Sequence, residues 1–344
     1  MAINSRVGIV LVNWNRWADT LECLESLLRS TVPLRIVVVD NASSDGSANN
    51  IAAWAAGNVL ATVLSPVMAR FSTPNVPKPV NFTLVAPEKA DTVQANHIVT
   101  LIEARTNLGF AGGNNLGIRA LLRASSIDYV WLLNNDTVVE AEAASALISR
   151  MDATHNVGMC GTVVRYYHRP DTVQALNGSR FSLLTGQSRG IGAGQPVATP
   201  FDPARVARDT DFVLGASLAL SRAFFDIIGP MNESYFLYYE EIDWAYRNAG
   251  RFAIAFAHGA IVYHKEGSSI GSSGAAGKRS SVSDYYMVRS RLTFIRRRAP
   301  AVLPLHWMFA LAQIFRRLLR LQPKKALVLV RALLGLRLGM VSRG

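Results

Sequence analysis

An α/β fold with a mostly parallel central sheet is predicted by three features of the sequence. Apolar runs at residues 7–12, 34–39 and 129–133 have the length and composition of strands that are buried on both faces. The segment between the first two runs has an apolar helical face, so strand, helix and strand form a βαβ unit with parallel pairing. Each of the three runs is followed by Asn or Asp, at the position where open α/β sheets bind their ligands.

The composition indicates a globular protein. A chain of 344 residues can bury a large core, as one large domain with an appendage or as two domains. Half of the residues are hydrophobic and 17% are charged, a balance that excludes a disordered chain. The two cysteines, Cys23 and Cys160, form neither a ligand cluster nor a disulfide framework, so we expect reduced thiols in the cytosol. Residues 1–6 lack the apolar core of a signal peptide.

The net charge of +12 comes from one end of the chain. Residues 276–344 carry 15 Lys and Arg against a single acid, Asp284, whereas residues 1–275 have a net charge of −2. A nucleic-acid-binding protein would interleave basic and exposed aromatic side chains over its body, so no nucleic-acid partner is expected. We therefore predict an α/β domain at 1–275 and a basic helical tail at 276–344.

The first two strand ends carry candidate ligand-binding residues. Asn13 and Trp14 follow the first strand, and Asp40 follows the second. Asp40 could accept a hydrogen bond from a base N–H while Trp14 stacks on the base, or Asp40 could simply form a turn. Residues 55–97 contain five prolines, which predict an insertion with poorly defined structure and no assigned function.

A glycine-rich turn at 107–117 follows a strand at 98–102. The G-x-G-x-x-G spacing of dinucleotide-binding turns is absent. A tight strand-to-helix turn explains some of these glycines, and a close approach of the backbone to a ligand would also require them.

Asn134, Asn135 and Asp136 end the strand at 129–133. An oxygen-rich cluster at this place suits a hard cation such as Mg²⁺ or Mn²⁺ that is held jointly with the phosphates of a substrate. The alternative is an Asx turn that caps the next helix. His264, at the end of a strand and before a Gly/Ser-rich loop at 267–277, is either a metal or phosphate ligand or a structural histidine.

Three acids, Glu240, Glu241 and Asp243, follow an aromatic run at 235–239. Carboxylates packed together beside apolar surface raise the pKa of at least one of them, an arrangement that suits a general base. The alternative is a helix start, where acids interact favourably with the helix dipole.

The tail at 296–341 is predicted to be helical and amphipathic. Its first helix places polar residues on one face, namely His306, Gln313, Arg316, Arg317, Arg320 and Lys324. A membrane-spanning helix needs about 18 uncharged residues in a row, and neither apolar stretch of the tail is that long. A basic amphipathic helix lying in an anionic membrane interface is one interpretation. The other is a helix packed on the domain with a solvated arginine face.

Taken together, these motifs resemble the inverting glycosyltransferases of family 2, which have the GT-A fold, and most closely the bacterial rhamnosyltransferase-like enzymes. The resemblance covers roughly residues 7–298 without 55–97. It rests on the motifs at 12–15, 39–43, 107–111, 134–136 and 238–243, and on a segment at 285–291 similar to Tyr-Tyr-x-x-Arg-Asn.

The resemblance implies a nucleotide-sugar donor whose base lies near Trp14 and Asp40, with Asn13, Asn107 and Asn135 also on the donor side. It also implies transfer of a sugar, with inversion, to a glycan or polyprenyl-linked acceptor in cell-surface polysaccharide synthesis. The enzyme would lie on the cytoplasmic face of the membrane.

The resemblance further implies that Asp136 occupies the place of the Asp-x-Asp motif and binds Mg²⁺ or Mn²⁺, with His264 completing the site. Asn134 replaces the first Asp of that motif and would support the metal. The catalytic base of the family falls on Glu241, where Glu replaces the usual Asp, so the choice between Glu241 and Asp243 stays open. Glu240 is a supporting acid.

The donor implied is dTDP-L-rhamnose, with UDP-galactose or UDP-glucose as alternatives. A sugar nucleotidyltransferase is a rival prediction, but it would need basic residues near the first strand, where only Arg16 lies. A catalytically inactive sugar-binding module is a third, and the intact acids at 240–243 argue against it.

Overall fold

The computed structural model describes residues 5–266 and 280–338. The strands of this part of the chain are β1 (Val7–Asn13), β2 (Leu34–Asp40), β3 (Phe82–Val85), β4 (Val99–Glu103), β5 (Tyr129–Asn134), β6 (Thr137–Val139), β7 (Val157–Tyr166), β8 (Arg169–Leu176), β9 (Gly178–Ser182), β10 (Gln187–Gly190), β11 (Phe212–Val213), β12 (Ser217–Ser221) and β13 (Ala253–His264). The helices are α1 (Trp17–Leu27), α2 (Ser47–Ala56), α3 (Ala69–Ser72), α4 (Gly109–Leu122), α5 (Ala143–Asp152), α6 (Pro203–Asp209), α7 (Arg222–Ile228), α8 (Glu240–Asn248), α9 (Ser281–Arg298), α10 (Leu303–Leu319) and α11 (Pro323–Leu333).

The central sheet runs in the order β3-β4-β2-β1-β5-β12-β7-β13-β6, and β8 pairs with β7. Strands β3, β4, β2, β1 and β5 are all parallel. Strand β12 is antiparallel to both of its neighbours, and β13 is parallel to β7. The predicted α/β fold, with a mostly parallel central sheet flanked by helices, is confirmed.

The two faces of the parallel strands are buried in separate cores. Ile9 of β1 packs with α1 on one face, whereas Val10 packs with α4 on the other. This alternation follows from the two-residue period of a strand. A Cβ atom at Gly117 of α4 would lie 2.5 Å from Val10, so glycine is required where this helix crosses the sheet. Burial on both faces explains the uninterrupted apolar runs in the sequence.

Residues 55–97 are folded, and the prediction of poorly defined structure for them is wrong. They include α3 and β3, and β3 extends the sheet by pairing with β4. Glu25 of α1 anchors the segment, because its carboxylate accepts hydrogen bonds from the Trp54 indole, the Val76 amide and the Lys78 ammonium group at 2.7–2.8 Å. The contacts that order the segment are thus long-range ones that its own composition does not reveal.

Helices α9, α10 and α11 pack around a small core that includes Val288, Ala310 and Leu329. The predicted boundary between residues 275 and 276 lies outside the described residues, as does the loop at 267–277. No helix in the described part of the chain combines the length and apolar character needed to cross a bilayer.

Candidate active site

The carboxyl ends of β1, β2 and β5 meet at one edge of the sheet because the strands are parallel neighbours. Asn13 lies beside Asp40 in the register, and Val12 lies beside Asn134. A cavity of about 460 Å³ lies at this edge. Its lining includes many of the residues that the sequence had singled out, namely Trp14, Asn107, Asn134, Asn135, Asp136, Glu240, Glu241 and His264.

Asn13 and Asp40 support the cavity from behind instead of lining it. Both are buried, and the Asn13 amide donates to Asp40 Oδ1 at 2.7 Å. Ser43 donates to both carboxylate oxygens of Asp40, through its hydroxyl at 2.6 Å and its backbone N–H at 3.2 Å. Asn135 lines the cavity and donates to Asn13 Oδ1 at 3.3 Å. These hydrogen bonds tie Asp40 to the two strand ends, and its contact with a nucleotide base stays a prediction.

Asn41 joins the second strand end to the glycine-rich turn, although no feature of the sequence marks it as a site residue. Its amide donates to Asn107 Oδ1 at 3.0 Å and to the Gly109 carbonyl at 3.1 Å, and it also lines the cavity. Gly109 has a φ of +70°, and a Cβ atom there would lie 2.3 Å from the Phe236 carbonyl. This glycine therefore allows the turn to contact the segment that precedes the acidic cluster.

Asp136 and His264 are brought together by the antiparallel pairing of β6 and β13. Asp136 Oδ1 lies 3.2 Å from His264 Nε2, and the Asn134 amide nitrogen also lies 3.2 Å from Nε2. Burial of the imidazole opposes its protonation, but the adjacent Asp136 carboxylate outweighs burial and raises the pKa of His264.

This pair fits a divalent cation that is shared with a substrate. No set of three or more His, Cys, Asp or Glu side chains within 5–266 and 280–338 is arranged to hold a metal ion alone. One carboxylate and one imidazole nevertheless suit Mn²⁺, and Mg²⁺ is commonly held by one or two carboxylates together with substrate phosphates. The protein ligands would therefore be Asp136 and His264, and the phosphate oxygens of a substrate would complete the coordination.

Glu240 and Glu241 begin α8 beside the cavity. The two residues before them, Tyr238 and Tyr239, have φ angles of 66° and 74°, a strained conformation that is common at functional sites. Neither Oε2 atom has a hydrogen-bond partner among the described residues. Burial raises the pKa of Glu241 to about 7. Burial and the neighbouring Glu241 charge raise the pKa of Glu240 well above its usual range.

Asp243 is part of an ion-pair cluster and is not part of the cavity lining. Its side chain is 1% exposed, and its carboxylate lies 3.2 Å from Arg247 Nε and 2.9 Å from Arg298 Nη2. Between the two acids that the sequence left open as the base, the structure presents Glu241 to the cavity.

The tail contributes to the cavity, which the sequence did not predict. Val282 and Tyr286 of α9 line it together with Leu338, which follows α11. Tyr286 stacks on Phe236 with ring centroids 4.7 Å apart. The Tyr285 hydroxyl donates to the Leu336 carbonyl at 2.8 Å, so the segment after α11 is held against α9. The cavity therefore has a polar region at the strand ends and an apolar wall built partly by the tail.

The family model described as "Glycosyl transferase family 2" matches residues 8–65 and 86–202, which together make up just over half of the chain. A curated relative, the low-salt glycan biosynthesis hexosyltransferase Agl10 of Haloferax volcanii, is 29% identical over 153 residues. These residues cover 42% of this chain and 45% of Agl10, so the match spans less than half of that relative.

Two solved structures are similar over most of the chain. The mannosyltransferase PcManGT from Pyrobaculum calidifontis, in complex with GDP-Man and Mn²⁺, is 13% identical with a TM-score of 0.49, and the match covers 97% of this chain and 77% of that one. S. aureus TarS 1-349, in complex with UDP-GlcNAc, is 12% identical with a TM-score of 0.48, and the match covers 96% of this chain and 82% of that one.

Proposed function

The chain belongs to glycosyl transferase family 2, and from this membership we propose that it is an inverting glycosyltransferase of the GT-A fold. It would move a sugar from a nucleotide diphosphate donor to a glycan or polyprenyl-linked acceptor in cell-surface polysaccharide synthesis. The observation that carries the proposal is one cavity that contains both the Asp136–His264 pair and Glu241. This chemistry needs a cation-binding site and a general base.

On the donor side, Trp14 would stack on the base, and Asn41 and Asn107 would contact the nucleotide. Asn135, which lines the same cavity and precedes Asp136 in the sequence, would contact the diphosphate. Asp136 and His264 would hold Mg²⁺ or Mn²⁺, which neutralises the charge that grows on the departing nucleotide diphosphate.

On the acceptor side, Glu241 would act as general base. The acceptor hydroxyl oxygen forms a bond to the anomeric carbon while the bond from that carbon to the diphosphate oxygen breaks on the opposite face. The hydroxyl proton passes to the Glu241 carboxylate, and the electron pair of the broken bond leaves with the nucleotide diphosphate. A pKa of about 7 suits this role, because the carboxylate is basic enough to take a proton and ionised often enough to do so.

The proposed donor is dTDP-L-rhamnose, supported by the resemblance of the motifs to rhamnosyltransferase-like enzymes. UDP-galactose and UDP-glucose are the alternative donors. A panel of these nucleotide sugars, each incubated with the protein and Mn²⁺ and assayed for released nucleotide, tests the proposed function directly. Release from at least one donor that is lost in Glu241→Gln or Asp136→Ala supports it, whereas no release from any donor argues against it.

We also propose that the tail binds an anionic membrane surface, on the cytoplasmic face. One face of α10 exposes six apolar side chains, each at least 44% exposed, and we call this the α10 apolar face: Trp307, Met308, Leu311, Phe315, Leu318 and Leu319. Exposed Arg316, Arg320 and Lys324 lie among or just beyond them, and no acid follows Asp284 in the sequence. An exposed apolar face with basic neighbours and no acids suits anionic lipid.

The faces of α10 differ from the sequence prediction in two details. His306, which was placed on the polar face, is fully buried and donates to the Leu183 carbonyl at 2.9 Å. Arg317 is paired with Asp284 at 2.7 Å and is only 16% exposed. Two residues predicted to be on the exposed polar face therefore face the protein, and more of the apolar side of α10 is exposed than the sequence predicted.

A further inference from the structure

Gln174 is a cavity-lining residue that no motif had marked. It lies on β8, which pairs with β7, and β7 pairs with β13, the strand that ends in His264. Through this topology Gln174 Oε1 lies 3.0 Å from His264 Nδ1, on the side of the imidazole away from Asp136. Both ring nitrogens of His264 therefore have a neighbour.

The identity of these neighbours decides which nitrogen of the neutral imidazole carries the proton. A carboxamide oxygen can only accept, so Gln174 Oε1 requires the proton on Nδ1. Nε2 then keeps its lone pair, and the Asn134 amide, at 3.2 Å, is a donor suited to it. Without Gln174, the Asp136 carboxylate at 3.2 Å would be the nearest remaining acceptor, and it would favour the proton on Nε2.

We propose that Gln174 is a positioning residue that holds His264 in the Nδ1–H tautomer and so presents the Nε2 lone pair to a divalent cation bound by Asp136. The proposal rests on the proposed function, because it assumes the cation site of that function. Gln174 would not contact the cation or the reacting atoms. It acts through His264, as partners that orient metal-binding histidines generally do.

The test compares Gln174→Leu, which cannot accept a hydrogen bond, with Gln174→Glu, which accepts more strongly. Mn²⁺ binding is followed by loss of the free-ion electron paramagnetic resonance signal, with the metal alone and with UDP as the nucleoside diphosphate. Gln174→Leu should weaken binding by about 10–100-fold, the usual effect of losing such a partner. Gln174→Glu should bind Mn²⁺ at least as tightly as the unmodified protein.

A second readout does not depend on the metal. Long-range ¹⁵N NMR of the metal-free protein, at a pH where the imidazole is neutral, reports the tautomer of His264. Because Gln174 Oε1 and the Asp136 carboxylate compete for the imidazole proton, we expect a larger Nδ1–H fraction in the unmodified protein and in Gln174→Glu than in Gln174→Leu. If Gln174→Leu acted only by disturbing the structure, Gln174→Glu would not be expected to keep the tautomer of the unmodified protein.

The results separate this inference from the cation site itself. Asp136→Ala and His264→Ala should both lose Mn²⁺ binding. If they do, while Gln174→Leu keeps the affinity and the tautomer of the unmodified protein, the role of Gln174 is overturned and the cation site stands. If Asp136→Ala and His264→Ala bind Mn²⁺ as the unmodified protein does, the cation site fails, and the role of Gln174 fails with it.

Discussion

The Asp136 carboxylate and the His264 imidazole lie 3.2 Å apart, although one residue follows β5 and the other ends β13. The pairing of β6 with β13 joins them, with His264 opposite Thr137 in the register. Asp136 and His264 are therefore close enough to bind the same cation, although they are far apart in the sequence.

Removal of this pair should abolish metal-dependent donor use. Asp136→Ala is expected to lower kcat/KM for donor hydrolysis on the order of 100-fold or more, because a bound cation contributes several kcal/mol of charge stabilisation. Excess chelator should have the same effect on the unmodified protein, and added Mn²⁺ should restore its activity but not that of the variant. Full activity in chelator would leave Asp136 with only a structural role beside His264.

Glu241→Gln tests the base. The variant keeps the shape of the side chain but cannot take a proton at neutral pH, so we expect turnover to fall by roughly 10²–10⁴-fold. Donor affinity, measured by equilibrium titration, should barely change because this carboxylate acts on the acceptor. Glu240→Gln is the matched control on the adjacent residue, and a larger loss of turnover in that variant would move the base to Glu240.

The raised pKa of Glu241 predicts a pH dependence with a definite sign. The protonated acid cannot act as a base, so kcat should rise with pH through about 7 and then level off. The folded protein holds this proton more tightly than the unfolded chain does, so stability should decline as pH rises from about 4.5 to about 7. Glu241→Gln should remove that part of the decline in Tm, and an identical pH dependence of Tm in both proteins would contradict the shift.

The sequence revealed the sheet and the approximate position of the site because both depend on local patterns. Apolar runs of strand length can be recognised in the sequence alone. Parallel strands must then bring the polar residues at their carboxyl ends to one edge of the sheet. Asp40 shows where this reasoning stops. A carboxylate at a strand end looks like a ligand-binding group, but the sequence does not reveal its hydrogen bonds with Asn13 and Ser43, because that pairing depends on the folded geometry.

Gln174, the contribution of the tail to the cavity and the orientation of α10 were missed for a related reason. A glutamine within a strand has no motif, and its contact with His264 exists only through the pairing of three strands. For α10, the sequence shows an amphipathic helix but not which side packs inward. Contacts with Leu183 and Asp284 decide that His306 and Arg317 face the protein.

Asp243 should affect stability more than chemistry. Asp243→Asn removes the charge that holds Arg247 and Arg298 together, so we expect Tm to fall by several degrees. Turnover at a temperature where the variant remains folded should stay within a few-fold of the unmodified protein. Abolition of turnover without loss of Tm would instead give Asp243 the role that we assign to Glu241.

The last prediction concerns the α10 apolar face. Leu311 and Phe315 are 54% and 63% exposed, and neither lines the cavity. If this face inserts into a membrane interface, Leu311→Ser/Phe315→Ser should weaken binding to vesicles containing phosphatidylglycerol by at least about tenfold, since each buried side chain of this size is worth about 1.5–3 kcal/mol. Co-sedimentation measures the binding, and released nucleotide measures donor hydrolysis, which should not change.

Ile227 of α7 provides the matched control, because it is 61% exposed but lies outside the tail. Ile227→Ser should leave vesicle binding unchanged. Arg316→Gln/Arg320→Gln tests the charge, and each arginine near an anionic surface contributes about 1 kcal/mol. The loss in this variant should therefore be seen with phosphatidylglycerol vesicles at low salt and not with phosphatidylcholine alone. If Leu311→Ser/Phe315→Ser binds as tightly as the unmodified protein, the α10 apolar face does not enter the membrane, and the helix that packs on the domain is the better interpretation.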